Sequence, residues 1–262
     1  MSIPNLADFE VDHDLSRKDY AVQLEALQHR LELIQAAYIG LGLKGIVALE
    51  GWDAAGKGGL VTRMTATLDP RYFKVWPIAA PSREEAARHY LWRFWQRLPG
   101  NREIAVFDRT WYGRVLVERV DGFVSEPRWR AAYDEINAFE TQLIADGTRI
   151  VKIFLHTTQE EQDKRLAERI TTPWKRWKTG KDDYHNRSRR AEYLEAYADM
   201  FRHCSPPSAP WHVVAANDKK HARVRSLELI CDALGAGVDL RWPEPDAELV
   251  KIAEKALGKK LF

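Results

Sequence analysis

The sequence predicts an α/β fold in which a parallel five-stranded sheet carries helices on both faces. Two observations predict it. Five short apolar runs alternate with stretches of helical periodicity, and crossover helices between parallel strands explain that order. The first run, Ile46-Val47-Ala48-Leu49, leads into the glycine-rich stretch Gly51-Trp52-Asp53-Ala54-Ala55-Gly56-Lys57-Gly58-Gly59 and then into Leu60-Val61-Thr62-Arg63-Met64. Strand, glycine loop and helix in that order are the context of a phosphate-binding loop.

Taken in order, Ser16 is a candidate cap for a helix to about Gly40. Leu24, Leu27, Leu31, Ile34 and Tyr38 form its apolar stripe. The first strand covers residues 45–50, and the helix after the loop is expected to reach Leu68. Phe73–Pro77 reads as a short strand, and a helix carrying Trp92, Phe94 and Trp95 is expected to open at Pro81-Ser82. Ile104–Asp108 is an apolar strand ending in a carboxylate. Ser125 is a candidate cap for a helix to about Asp146, and Ile150–Leu155 is a further strand. Helices are expected at 159–170 and 192–203, a strand at Trp211–Ala215, and helices at 219–234 and 248–257. One domain over 1–262 accounts for this pattern, with an arm and helix at 1–44, a basic lid at about 165–190 and a tail at 240–262.

Composition narrows the function classes. The chain has 262 residues, 45% hydrophobic, and a net charge of +2, so a large core is expected and global charge selects no partner. Charge distribution is more telling. Residues 165–190 hold nine Lys/Arg against three Asp/Glu. Such a run is ordinarily a solvated face, but here it is interleaved with Trp174, Trp177 and Tyr184 and broken by Thr171-Thr172-Pro173, as a mobile lid would be. Taken alone, the tryptophans read as packing residues. Cys204 and Cys231 lack any paired spacing and read as reduced thiols of a cytosolic protein. The acidic N-terminus shows no secretory signal, and no apolar run is long enough to cross a membrane. Neither a zinc-binding spacing nor a Ser-His-Asp arrangement stands out.

The loop carries the chemistry. Gly51, Gly56 and Lys57 have the spacing G-x-x-x-x-G-K. The expected phosphate contacts are Gly51, Ala54, Ala55, Gly56, Lys57 and Gly58, with backbone N–H groups turned toward phosphate oxygens and the lysine reaching the outer phosphates. Gly58 stands where most such loops place a Ser or Thr that holds Mg²⁺. Asp53, inside the loop, and Asp108, at the end of an apolar strand, are the replacement oxygen donors. Asp108 as a cap for the 111–120 segment, and Arg109 as one member of a plain surface pair, are the plainer readings. A phosphate contact suits the Arg109 guanidinium better.

At this point the chain resembles the polyphosphate kinase 2 family. The resemblance rests on the phosphate loop, Asp108-Arg109-Thr110-Trp111-Tyr112, Glu161-Gln162 with Arg165 and Arg169, Trp177-Lys178, Ala209-Pro210-Trp211, and Asn217-Asp218-Lys219-Lys220 with Arg223. It implies a P-loop kinase fold with a helical lid, and Mg²⁺-dependent phosphoryl transfer between inorganic polyphosphate and a nucleotide. By the same resemblance, Asp53 and Asp108 are the metal-associated carboxylates. Lys57, Arg109 and Arg169 hold the transferring group, and Arg165, Lys175, Arg176, Lys178 and Lys181 track the polyphosphate chain. Trp111 to Val120 looks closer to the AMP-using group, so AMP is the favoured acceptor and ADP or GDP the alternative. Polyphosphate, a nucleotide and further copies of the chain are the expected partners, with no nucleic acid and no membrane, in the cytoplasm. An ATP-dependent small-molecule or nucleoside monophosphate kinase, and a non-catalytic polyanion binder, are the rival readings.

Overall fold

A computed structural model describes residues 4–241 and 245–261. Residues 1–3, 242–244 and 262, which include the outermost ends of the expected arm and tail, lie outside the described residues. Five parallel strands form one sheet in the order β2-β3-β1-β4-β5: β1 (Lys44–Gly51), β2 (Phe73–Pro77), β3 (Ile104–Asp108), β4 (Thr148–His156) and β5 (Trp211–Ala215). The chain leaves β1 toward one edge, returns beside it as β3, and then crosses to its other side. Connections therefore reverse around β1, and the crevice at the carboxyl ends of the central strands is the place for a ligand. Register brings the ends together: Leu49 and Pro77 both pair with Asp108.

The helices are α1 (Arg17–Leu41), α2 (Lys57–Met64), α3 (Arg83–Ala86), α4 (Trp92–Trp95), α5 (Val117–Val120), α6 (Glu126–Ala145), α7 (Gln159–Thr171), α8 (Lys181–Ser188), α9 (Arg190–His203), α10 (Lys219–Gly235) and α11 (Ala247–Leu257). Ser16 caps α1 by accepting from the Asp19 N–H, and Thr158 caps α7 in the same way through Glu161. Alternation along β4 assigns the two faces. Lys152 and Phe154 meet α6 and α9, through Glu140, Tyr197 and Phe201, while Leu155 faces α2 and α10.

Three sequence expectations change. Ser125 stands at the start of α6, but its side chain makes no cap bond. The helix expected from residue 82 is two single turns, α3 and α4, with residues 87–91 between them outside any helix. α2 ends at Met64 rather than Leu68.

Lys152 is fully buried in mid-sheet. Its ammonium donates to Glu140 at 2.7 Å, to the Tyr112 hydroxyl at 2.8 Å and to the Cys204 carbonyl at 2.9 Å. Removing one member leaves an uncompensated buried charge. Glu140→Ala is therefore expected to destabilise the protein by about 3–5 kcal/mol in urea unfolding. Both cysteines are buried, and burial pushes each thiol up to about 12.

Candidate active site

The loop between β1 and α2 is shaped by its glycines. Gly51 has φ +137°, and a Cβ there would lie 2.3 Å from the Leu155 carbonyl oxygen on β4, so only glycine fits. Gly56 turns at φ +119° into α2. Among the described residues, the N–H groups of Gly56, Lys57, Gly58 and Gly59 have no acceptor; the first bond of the turn is Leu60 N–H to the Gly56 carbonyl, at 3.0 Å. These residues line a cleft of about 610 Å³. Free N–H groups at a helix start make an anion cradle. The Ala55 N–H differs from expectation, because it is used within the loop on the Trp52 carbonyl at 3.1 Å. The Lys57 ammonium donates to the Gly51 and Trp52 carbonyls at 2.7 and 3.2 Å, so it is held at the loop itself.

Asp53, Asp108, Arg109 and Arg169 open on the same cleft, together with Trp177 and Lys178 of the lid. Asp53 accepts from Arg109 at 2.7 Å through one oxygen and from Asn186 at 2.8 Å through the other. Burial alone would raise its pKa; Lys57, Arg109 and the Asn186 bond outweigh that and hold it below the usual carboxylate range. Among the described residues no side chain donates to the Asp108 carboxylate, and Thr110, not Asp108, caps the turn that follows by accepting from the Tyr112 N–H. Arg109 itself has φ +66°, which an arginine rarely adopts.

Two hard carboxylates on one cleft fit a divalent cation whose remaining sites go to phosphate oxygens and water. No cluster of three His, Cys, Asp or Glu exists among the described residues. The protein alone would therefore be a poor cage, as Mg²⁺ sites on phosphates commonly are.

The lid begins later than the charge run. Arg165 was expected on the lid but is buried on α7. Its guanidinium donates to the carbonyls of Ala54, Ala55, Ala216 and Asn217 and pairs with Glu161 at 2.6 Å. It braces the back of the phosphate loop, with no donor left for a polyanion. It lies in the buried stripe Gln162-Arg165-Leu166 of α7, a tertiary feature that the charge pattern along the chain does not show. Lys175 pairs with Glu168, and Arg176 donates to the Ile170 carbonyl at 3.0 Å, so both are engaged inside the lid. Lys181 is exposed and away from the cleft lining. Arg169 donates to the Lys178 carbonyl at 3.0 Å and lies 3.5 Å from Asp183. Trp174 and Trp177 are 74% and 80% exposed, so they are not packing residues here.

Several residues escaped the sequence reading. Asn186 ties the lid helix α8 to Asp53. Trp52 is held on its face by Arg190, 3.9 Å from the ring centroid, and through its Nε1–H by His156 at 2.9 Å. Glu50 binds Thr110. Trp52 stands inside the loop motif but at an unspecified position, and Glu50 and Asn186 lie outside any spacing motif, so their contacts show only in the fold.

Two further cavities lie in the same part of the fold. One of about 310 Å³ is walled by Glu85, Tyr90, Arg93, Trp111, Arg114 and Phe123, and reaches the Asp108–Arg109 loop at Thr110. The Tyr90 hydroxyl and Arg114 Nε are buried without partners there. The other, of about 90 Å³, lies behind the loop between Trp52, Leu116 and Tyr197.

Known proteins are similar to this chain in sequence and fold. Residues 14–238 match the family model described as polyphosphate kinase 2. The chain is 45% identical over 231 residues to a polyphosphate:AMP phosphotransferase of Pseudomonas syringae pv. tomato, covering 87% of this chain and 46% of that protein. It is 35% identical over 251 residues to ADP-polyphosphate phosphotransferase 3 of Rhizobium meliloti, covering 96% and 84%. The chain spans about half the length of the AMP-named curated relatives it matches. The crystal structure of polyphosphate kinase 2 from Arthrobacter aurescens superposes with a TM-score of 0.84 at 32% identity, over 98% of this chain and 97% of that one.

Proposed function

Because this chain belongs to the polyphosphate kinase 2 family, we propose that it transfers phosphoryl groups between inorganic polyphosphate and a nucleotide, with AMP as the favoured acceptor. The observation that carries the reading is the convergence of Lys57, the free N–H groups of the loop, Asp53, Asp108, Arg109 and Arg169 on one cleft. Its volume of about 610 Å³ suits an extended anion. The cavity of about 310 Å³ beside Thr110 suits the acceptor nucleoside, since small-molecule pockets begin at roughly 300 Å³. At about 90 Å³, the void behind the loop is too small.

In this reading an oxygen of the acceptor phosphate attacks the terminal phosphorus of polyphosphate. The new P–O bond forms as the bond to the bridging oxygen breaks, and the shortened chain leaves with that electron pair. Positioning and charge stabilisation supply most of the catalysis. Lys57 and the loop N–H groups hold the phosphoryl oxygens, while Arg109 and Arg169 face the developing charge. Asp53 and Asp108 would hold Mg²⁺, which when bound would supply charge neutralisation at the phosphates. With no described helix long and apolar enough to cross a membrane, and two reduced, buried thiols, a cytoplasmic site of action fits.

A diphosphate acceptor is the second reading, supported by the nearly end-to-end likeness to the ADP-named relative. A panel of AMP, ADP, GMP and GDP with polyphosphate and Mg²⁺ tests both. The expected product is ADP from AMP; a rate on ADP or GDP that exceeds the AMP rate would reverse the order.

The lid makes a separate prediction. Replacing Lys175, Arg176, Lys178 and Lys181 together by Gln is expected to raise the KM for long polyphosphate and to flatten its salt dependence, by analogy with counterion release. Lys178→Gln alone is expected to reproduce most of that change, because Lys178 lines the cleft and the others do not. Arg169→Ala is expected instead to lower kcat, as loss of transition-state stabilisation does. Steady-state kinetics at two salt concentrations separate these outcomes.

A further inference from the structure

The Asp108–Arg109 turn stands at the end of β3, and the phosphate loop stands at the end of β1. One buried side chain joins them. Glu50, the residue before Gly51, is 5% exposed. A single oxygen of its carboxylate accepts from the Thr110 N–H at 2.8 Å and from the Thr110 hydroxyl at 2.7 Å. Among the described residues no cation lies in salt-bridge contact with it. Burial pushes the Glu50 carboxyl above its usual range, while the Thr110 bonds and the nearby charges of Lys57 and Arg109 act against that.

Arg109, directly before Thr110, has φ +66°. Its N–H is fixed to the Leu49 carbonyl at 3.0 Å, on the residue before Glu50. Downstream, the Trp111 indole N–H and the Tyr112 hydroxyl donate to buried Glu140 at 3.0 and 2.7 Å. The left-handed turn is thus pinned on both sides. On the β1 side, the pin is a side chain joined covalently to the phosphate loop.

We infer that Glu50 is a positioning residue that sets Arg109 over the cleft in register with the phosphate loop, acting through Thr110. The inference rests on the phosphoryl-transfer reading above. Glu50 does not touch the reacting atoms. It fixes where the guanidinium stands relative to Asp53 and Lys57, and a displacement of about 1 Å at such a group can cost roughly 100-fold in rate. Its removal should therefore appear in kcat and not in substrate affinity.

The test is a kinetic series on the intact chain. Glu50→Gln keeps an acceptor oxygen for both Thr110 donors and is expected to keep kcat within threefold of the unmodified protein. Glu50→Ala is expected to lower kcat about 100-fold with both KM values within threefold. Thr110→Val, which removes the hydroxyl bond to Glu50 together with the cap bond from the Tyr112 N–H without emptying space, is expected to lower kcat about tenfold, and Thr110→Ser, which keeps both, to restore most of it. In an Arg109→Ala background, Thr110→Val is expected to have no further effect, because the two act through one group. The inference is overturned if Thr110→Val leaves kcat unchanged, if its effect multiplies with that of Arg109→Ala, or if Glu50→Gln falls as far as Glu50→Ala. Should Glu50→Ala fail to fold, the Thr110 and Arg109 cycle decides alone. An unmodified chain that phosphorylates no nucleotide from polyphosphate would instead sink the parent reading, and the two failures are thereby distinct.

Discussion

Lys57→Ala is expected to lower turnover by about 10³-fold or more, the scale seen when one preorganised charge is removed from a phosphoryl or oxyanion site. The protein should remain folded. The backbone shape of the loop comes from Gly51 and Gly56, and Arg165 braces it from behind through the Ala54 and Ala55 carbonyls. The lysine contributes two bonds to loop carbonyls, and these are made within a segment already fixed. Circular dichroism and thermal melting would establish the fold, and product formation from AMP and polyphosphate the loss. A folded variant with near-normal turnover would remove the phosphate-loop assignment.

Asp53→Asn is expected to be nearly as damaging, for two reasons. The amide loses the charge that would attract a divalent cation beside phosphate. It also loses half of the acceptor pair that holds Arg109 and Asn186, since only one amide atom can accept and the other must face a donor. A loss of about 10²-fold or more in kcat is expected. Excess Mg²⁺ should restore only the part that comes from metal affinity; the part that comes from Arg109 should persist. A titration of kcat against Mg²⁺ for both proteins checks this. Unchanged activity with unchanged Mg²⁺ dependence would contradict the role of Asp53.

The fold was legible because it rests on local signals. Apolar strand runs, Ser16 as a cap, and the glycine loop each announce themselves within a few residues, and the structure has all of them. The break in the expected 82–95 helix was not legible, since the periodicity runs on through residues 87–91, where the structure has no helix, and nothing in the structure explains the interruption. The same distinction runs through the site. Asp53, Lys57, Asp108, Arg109 and Arg169 all line one cleft, as strand-end positions and a basic lid implied. Arg165 was misplaced because a linear count of charge ignores which side of α7 a residue occupies. Glu50 and Asn186 act across strands and across the lid, through contacts that no spacing along the chain encodes.

The central claim is that this cleft moves a phosphoryl group between polyphosphate and a nucleotide. The most direct measurement incubates the purified chain with AMP and Mg²⁺, supplying either long-chain polyphosphate or ATP as donor, and follows ADP by chromatography with Lys57→Ala as the background control. ADP is expected from polyphosphate at a rate far above the control, and with ATP at no more than the control rate. ADP formed from ATP but not from polyphosphate would contradict the account and make the chain an ATP-dependent kinase. Polyphosphate binding without turnover on AMP, ADP, GMP or GDP would leave it a polyanion binder.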